Sequence, residues 1–197
     1  MGIRFRWRCF GRTDLVDQAW LEFMAENGCV SIFYGGESGS PHIQERISKG
    51  FTPEQAKEVV RLSSKYMHVT ASFIWGLPYE TLADFEATRC LYLSLLELDN
   101  VAIHLRLLTP YPGTRLYETY SDRLQFSPDL FTDLMNNRVL SQEETALVTS
   151  LPEVFPNYYH FASPHLDYKA ECVHRLFELF GPPEGHIYGE GRIYEAV

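Results

Sequence analysis

Residues 3–9 (IRFRWRC) alternate apolar side chains with arginine at strict period two, which predicts a strand with one apolar face. Val16, Ala19, Trp20, Phe23 and Met24 then recur at helical spacing, with Thr13 as the expected cap and Asn27-Gly28 as the stop. Residues 29–34 predict a second strand, which runs into the turn Gly35-Gly36-Glu37-Ser38-Gly39. Ser40-Pro41 opens a short helix carrying Ile43 and Ile47. Thr52-Pro53-Glu54-Gln55 is a capping box with proline at the first helical position, and Ala56, Val59, Val60 and Met67 follow it. Residues 69–75 (VTASFIW) predict a third strand, ended by Gly76-Leu77-Pro78. Thr81 and Asp84 cap a helix that uses Phe85, Leu91, Leu95 and Leu96, and residues 101–108 (VAIHLRLL) predict a fourth strand.

Strand and helix thus alternate every 30 to 40 residues or so, the rhythm of parallel βα units with right-handed crossovers. The expected fold class is α/β, a partial parallel (β/α) barrel of about four βα units with a C-terminal helical extension. After residue 115 the rhythm stops. Ser127-Pro128 and Ser141-x-x-Glu144 read as helix starts, residues 151–165 as an aromatic loop, and Val173, Leu176, Phe177 and Phe180 as one face of a last helix. The expected organisation is a partial barrel over residues 1–120, a helical extension over 121–183 and a flexible tail over 184–197.

Strand parity then sorts the polar groups. Ile103, Leu105 and Leu107 face the helices, leaving Ala102, His104, Arg106 and Leu108 on the other face. Val69, Ala71, Phe73 and Trp75 likewise leave Thr70, Ser72, Ile74 and Gly76. Arg4, Arg6 and Arg8 share one side of the first strand. Together with His104 and Arg106 they could line a pocket for carboxylate or phosphate groups; the alternative for the three arginines is a solvated edge strand that resists aggregation.

The chain has 197 residues, 45% of them hydrophobic, enough for a sizeable core, and a formal net charge of −9. That balance shows no evident nucleic-acid surface and argues against anionic membranes, because both affinities come from Lys and Arg. No apolar run is long enough to span a bilayer, and residues 1–12 lack the shape of a signal peptide, so the chain reads as cytoplasmic. Cys9, Cys29, Cys90 and Cys172 stand 20, 61 and 82 residues apart, too far for a Cys-x-x-Cys site, and Cys9, Cys29 and Cys90, in or beside apolar segments, read as free buried thiols. Cys9 at a strand end and Cys29 at a strand start should lie about a strand's length apart, roughly 17–20 Å. No metal ligand is assigned. His160 and His165 are the one close histidine pair, without a carboxylate cluster beside them.

Three segments resemble the radical S-adenosylmethionine (radical SAM) superfamily, closest to the Fe–S oxidoreductase branch often joined to cobalamin-binding domains. They are Gly35-Gly36-Glu37-Ser38-Gly39-Ser40, Phe73-Ile74-Trp75-Gly76-Leu77-Pro78-Tyr79-Glu80-Thr81 and Thr109-Pro110-Tyr111-Pro112-Gly113-Thr114, with Lys49-Gly50-Phe51-Thr52 between the first two. The resemblance covers residues 3–120 and implies strands three to six of a (β/α)6 barrel. It implies that Glu37, with Ser38 beside it, meets the ribose of SAM, that Ile74 and Gly76 support the adenine, and that Leu108, Thr109 and Pro110 edge it. Ser72 stands where the family has glycine. Glu80 reads as a structural residue near the next helix start, and Lys49 as a contact for the SAM carboxylate.

The family's Cys-x-x-x-Cys-x-x-Cys loop, which holds the [4Fe–4S] cluster, has no counterpart in these residues. The reading is therefore a C-terminal fragment of a radical SAM Fe–S oxidoreductase, with no catalytic residue of its own. SAM is its cofactor, the [4Fe–4S] cluster belongs to the intact parent only, and cobalamin is open to that parent. The alternative is a noncatalytic nucleotide- or protein-binding module that docks through the aromatic loop. The substrate is not legible, and the first strand, an uncovered sheet edge, suggests self-association.

Overall fold

The computed structural model describes residues 5–127, 130 and 140–181. Four βα units come first: β1 (Trp7–Gly11), α1 (Gln18–Glu26), β2 (Cys29–Glu37), α2 (Pro41–Arg46), α3 (Pro53–Ser63), β3 (His68–Trp75), α4 (Leu82–Leu95) and β4 (Val101–Leu107). Then follow α5 (Arg115–Tyr120), β5 (Leu124–Phe126), α6 (Gln142–Ser150), β6 (Tyr159–Phe161) and α7 (Leu166–Phe180). Strands β1 to β4 form one parallel sheet in sequential order, and β5 pairs antiparallel with β6. Among the described residues the sheet is open, with no closed barrel. No helix there is long and apolar enough to cross a membrane.

One face of the sheet is the core. Ile32 and Tyr34 of β2, Val69, Ala71, Phe73 and Trp75 of β3, and Ile103, Leu105 and Leu107 of β4 are buried against Leu21, Val60, Phe85, Tyr92 and Leu95 of the crossover helices. Strand parity selects these residues, because alternate side chains point to opposite faces. The caps at Ser40, Thr52, Thr81 and Ser141 form as their sequence patterns require, the last three as full capping boxes.

Several elements differ from the sequence reading. Among the described residues β1 runs over Trp7–Gly11, two residues beyond the expected end at 9, and Phe5 and Arg6 are outside it, because Trp7 pairs with Cys29, the first residue of β2. A register shift falls between Trp7 and Arg8. Asp17, not Thr13, caps α1: its carboxylate accepts the Trp20 N–H at 2.9 Å, whereas Thr13 lies buried four residues upstream. The aromatic loop contributes β6, with Tyr159 and Phe161 buried and Phe155 and Tyr158 half-buried, while Leu151 and Val154 at its start are exposed. The extension therefore contains a strand pair as well as helices. Its last helix is part of the core, since Val173 and Leu176 of α7 join the buried cluster. The helix start at Ser127-Pro128 and the tail from 184 fall largely outside the described residues.

Cys9 and Cys29 are not a strand's length apart. Cys9 sits mid-strand beside Ile32, three residues on from Cys29, close enough for the two sulfurs to influence each other's ionisation. Burial first, and then the Cys29 sulfur, push the Cys9 thiol up to about 12. The expectation failed because it took residue 9 as the end of β1, which continues to Gly11.

Candidate functional site

At the end of β2 the chain turns sharply. Glu37 takes a φ of 57° and the Ser38 N–H donates to the Gly36 carbonyl at 2.8 Å, so a non-glycine residue holds a left-handed conformation at the strand tip. The Glu37 carboxylate pairs with the Lys49 ammonium at 2.6 Å, with the two side chains 22% and 27% exposed. Gly35 makes room for them: a Cβ there would fall 2.5 Å from Glu37 Oε1 and 3.3 Å from Lys49 Nζ. Arg12, just past β1, grips Asp14 at 2.8 Å and donates to the Lys49 carbonyl at 3.1 Å. Ser38 is fully buried. Its hydroxyl bonds the Thr88 hydroxyl at 2.9 Å and accepts the Ser40 N–H at 3.0 Å, so it belongs to the packing of this turn on α4 and not to a ligand wall.

The end of β3 is held from below. Gly76 has a φ of 82°, and a Cβ on it would collide with Leu107 Cδ1 at 2.4 Å. Its N–H donates to Glu80 Oε2 at 2.9 Å, and that carboxylate is bound by Lys169 of α7 at 2.8 Å, both side chains being wholly buried. Burial pushes the Glu80 carboxyl up, against the opposing pull of Lys169 and the Gly76 N–H. At the end of β4 the Leu108 N–H donates to the Trp75 carbonyl at 2.9 Å, which ties it to the end of β3; Thr109 is half-buried and Pro110 buried.

The remaining candidates lie on the sheet face away from the helices. Register sets Gly35, Ser72 and His104 in one row and Ile74 beside Arg106 in the next. His104 is buried, its Nδ1 3.1 Å from Arg106 Nη2, and its ring meets that of Phe33 at 6.2 Å between centroids. Phe33 in turn meets Phe10 at 5.2 Å. Arg8 pairs with Ser31 in the sheet register, Arg6 precedes β1 and is exposed, and Arg4 lies outside the described residues. The strand ends therefore bring together Glu37, Lys49, Ile74, Gly76 and the 108–110 loop, whereas Arg6 stands apart from them. His160 and His165 do not form a site: His160 bonds the Ser127 hydroxyl at 2.9 Å and lies 3.0 Å from the Phe161 carbonyl, and His165 is exposed at the start of α7.

Two features escaped the sequence reading. Lys169 occupies the apolar stripe of α7 together with Leu166, Val173 and Leu176, at the spacing three, four, three, and a lysine there was the available signal. Asp84 does more than cap α4. It binds the Ser40 hydroxyl, which caps α2, and approaches His42 Nδ1 at 3.2 Å, joining two helix starts. Burial would raise its carboxyl, but Ser40, Thr81 and His42 outweigh that and bring it down to about 2.

Among the described residues no group of three His, Cys, Asp or Glu side chains could hold a metal ion. The thiols do not fit a cluster either: Cys9 lies on β1 and Cys29 on β2, Cys172 is half-buried on α7, and Cys90, expected to be buried, is exposed on α4. At the strand ends the Glu37 carboxylate is partly exposed and paired with Lys49, and a Cβ at Gly35 or Gly76 would meet side chains of this chain.

Residues 1–89 match the model of the Radical SAM superfamily. An uncharacterized methyltransferase of Pyrococcus horikoshii, PH0819, is 37% identical over 118 residues, which are 59% of this chain and 25% of that protein. A putative methylthiotransferase of Methanocaldococcus jannaschii, MJ0865, is 33% identical over 106 residues, 53% of this chain and 23% of that protein. The chain thus spans about a quarter of the length of these relatives. Its fold is similar to that of TsrM, a radical S-adenosylmethionine methyltransferase of Kitasatospora setae whose structure has cobalamin and a [4Fe-4S] cluster bound. The TM-score is 0.55 at 20% identity, covering 89% of this chain and 36% of that one. The match to the Radical SAM superfamily thus rests on residues 1–89, which carry β1 to β3 of the open parallel sheet.

Proposed function

We propose that the chain supplies the ribose-and-adenine wall of a SAM pocket, as the C-terminal part of a radical SAM catalytic domain. The observation that carries this reading is Glu37, held at φ 57° at the tip of β2 with its carboxylate reachable from solvent, on the same sheet edge as Gly76 and the 108–110 loop. A carboxylate there accepts both ribose hydroxyls, while Ile74 and Gly76 flank the base and Lys49 can leave Glu37 for the ligand's carboxylate. SAM, when bound, supplies the radical chemistry of the family; these residues bind and orient it. The [4Fe–4S] cluster is assigned to none of the described residues, and cobalamin, named for TsrM, is proposed only for a longer protein.

The test is titration of wild type and Glu37→Ala with S-adenosylhomocysteine by ligand-observed NMR. Each charge-assisted hydrogen bond contributes about 1.5–3 kcal/mol, so the variant should bind at least tenfold more weakly. Equal affinity would remove Glu37 from the site.

A second reading, self-association, draws on the N-terminal edge. Among the described residues β1 pairs only with β2, and Phe10, Leu15, Trp20 and Phe23 are exposed near it. Sedimentation that shows a strict monomer at high concentration would remove it.

A further inference from the structure

Helix α7 lies outside the residues that match the family, yet it closes on the loop after β3. The three ammonium protons of Lys169 meet three acceptors: Glu80 Oε2 at 2.8 Å, the Glu80 carbonyl at 3.0 Å and the Ser163 hydroxyl at 3.1 Å. Ser163 donates onward to the Leu77 carbonyl at 2.9 Å, and Glu80 Oε2 also accepts the Gly76 N–H at 2.9 Å. Three backbone groups of one five-residue loop are thereby fixed by α7 and the residues that lead into it.

A sealed ion pair is a poor way to stabilise a fold, because well-packed apolar side chains do as well or better. It is a good way to impose a backbone direction, here at a glycine with φ 82°. We propose that Lys169 and Glu80 are a positioning pair through which α7 sets the conformation of the Gly76–Glu80 loop and so completes the ligand wall from 89 residues downstream. The identity of the ligand rests on the SAM reading above; the pair's hold on the loop does not.

Two neutral double variants of the full chain separate positioning from mere stability. K169M/E80Q keeps a side-chain acceptor for the Gly76 N–H, K169M/E80M removes it, and neither leaves a buried charge. Amide exchange at Gly76 should quicken at least tenfold in K169M/E80M relative to K169M/E80Q, with Ala71 and Phe73 of β3 unchanged. Affinity for S-adenosylhomocysteine should fall tenfold or more in K169M/E80M and at least threefold in K169M/E80Q, which keeps the Gly76 acceptor but has lost the Lys169 tether to α7. Gly76 exchange and affinity equal to wild type in K169M/E80Q would overturn the proposal, since the loop would then be set without Lys169. If wild type binds no S-adenosylhomocysteine, the SAM reading falls and Gly76 exchange alone decides the positioning role. Should a double variant not fold, wild type still decides: Gly76 must exchange as slowly as the β3 interior, and exchange at the rate of an exposed loop defeats the idea.

Discussion

Glu37 and Lys49 pair at 2.6 Å, and Glu80 and Lys169 at 2.8 Å, two unions of the same chemistry at the ends of adjacent strands. The first is 22% and 27% exposed; the second is 0% exposed on both sides. Near water the attraction is weak and either partner can trade the other for a ligand at little cost. In the sealed pair neither charge can leave without stranding the other, so that pair can only hold its loop. The outer pair can therefore act as a recognition element and the inner one as a support.

The largest expected effect tests the inner pair. Lys169→Met leaves the Glu80 carboxylate buried and unpaired, and the unfolding free energy from urea titration should fall by about 3–5 kcal/mol. A loss under 1 kcal/mol would erase the difference between the two pairs. Next is Asp84→Asn, which weakens the link between the starts of α2 and α4 and should cost about 1–3 kcal/mol at neutral pH. Because the Asp84 carboxyl lies at about 2 when folded, its contribution is present above its ordinary 3.8 and is lost as pH falls through that interval. The wild type should thus lose more stability than the variant between about pH 4 and 2, read from thermal melts. Glu80 has the opposite sign: its raised carboxyl favours the folded state at low pH and loses that contribution as pH rises. The smallest effect belongs to the outer pair. Lys49→Met should change stability by about 0–1 kcal/mol, and raising salt to 1 M should remove most of that difference while leaving the cost of Lys169→Met intact.

Much of this was legible because it is local. Alternation in VTASFIW and VAIHLRLL sorts helix-facing from open-face residues by parity alone, and the sheet register bears that sorting out. The capping boxes at Thr52, Thr81 and Ser141 are four-residue patterns and form as such. What failed was long-range or depended on a neighbour. The limits of β1 are set by where β2 begins, and the nearness of Cys9 to Cys29 follows from that register. The Lys169 partnership joins residues far apart in sequence, and β6 forms only because β5 lies antiparallel to it. For the candidate site, the motifs marked which strand ends converge. They could not show that Ser38 turns into the packing or that Glu37 meets Lys49, because both depend on the left-handed turn at Glu37.

The sealed pair also bears on the order of events during synthesis. At about 5–20 residues per second, the 89 residues between Glu80 and Lys169 take on the order of 4–18 seconds to translate. Throughout that interval β3 and its loop have emerged while the cation that neutralises Glu80 has not. The nascent sheet must keep that carboxylate in water or protonated, with the Gly76 loop unfinished. The loop after β3 therefore reaches its final shape only when α7 arrives, and a ribosome stalled between the two would present a sheet whose Gly76–Glu80 turn is still unfastened.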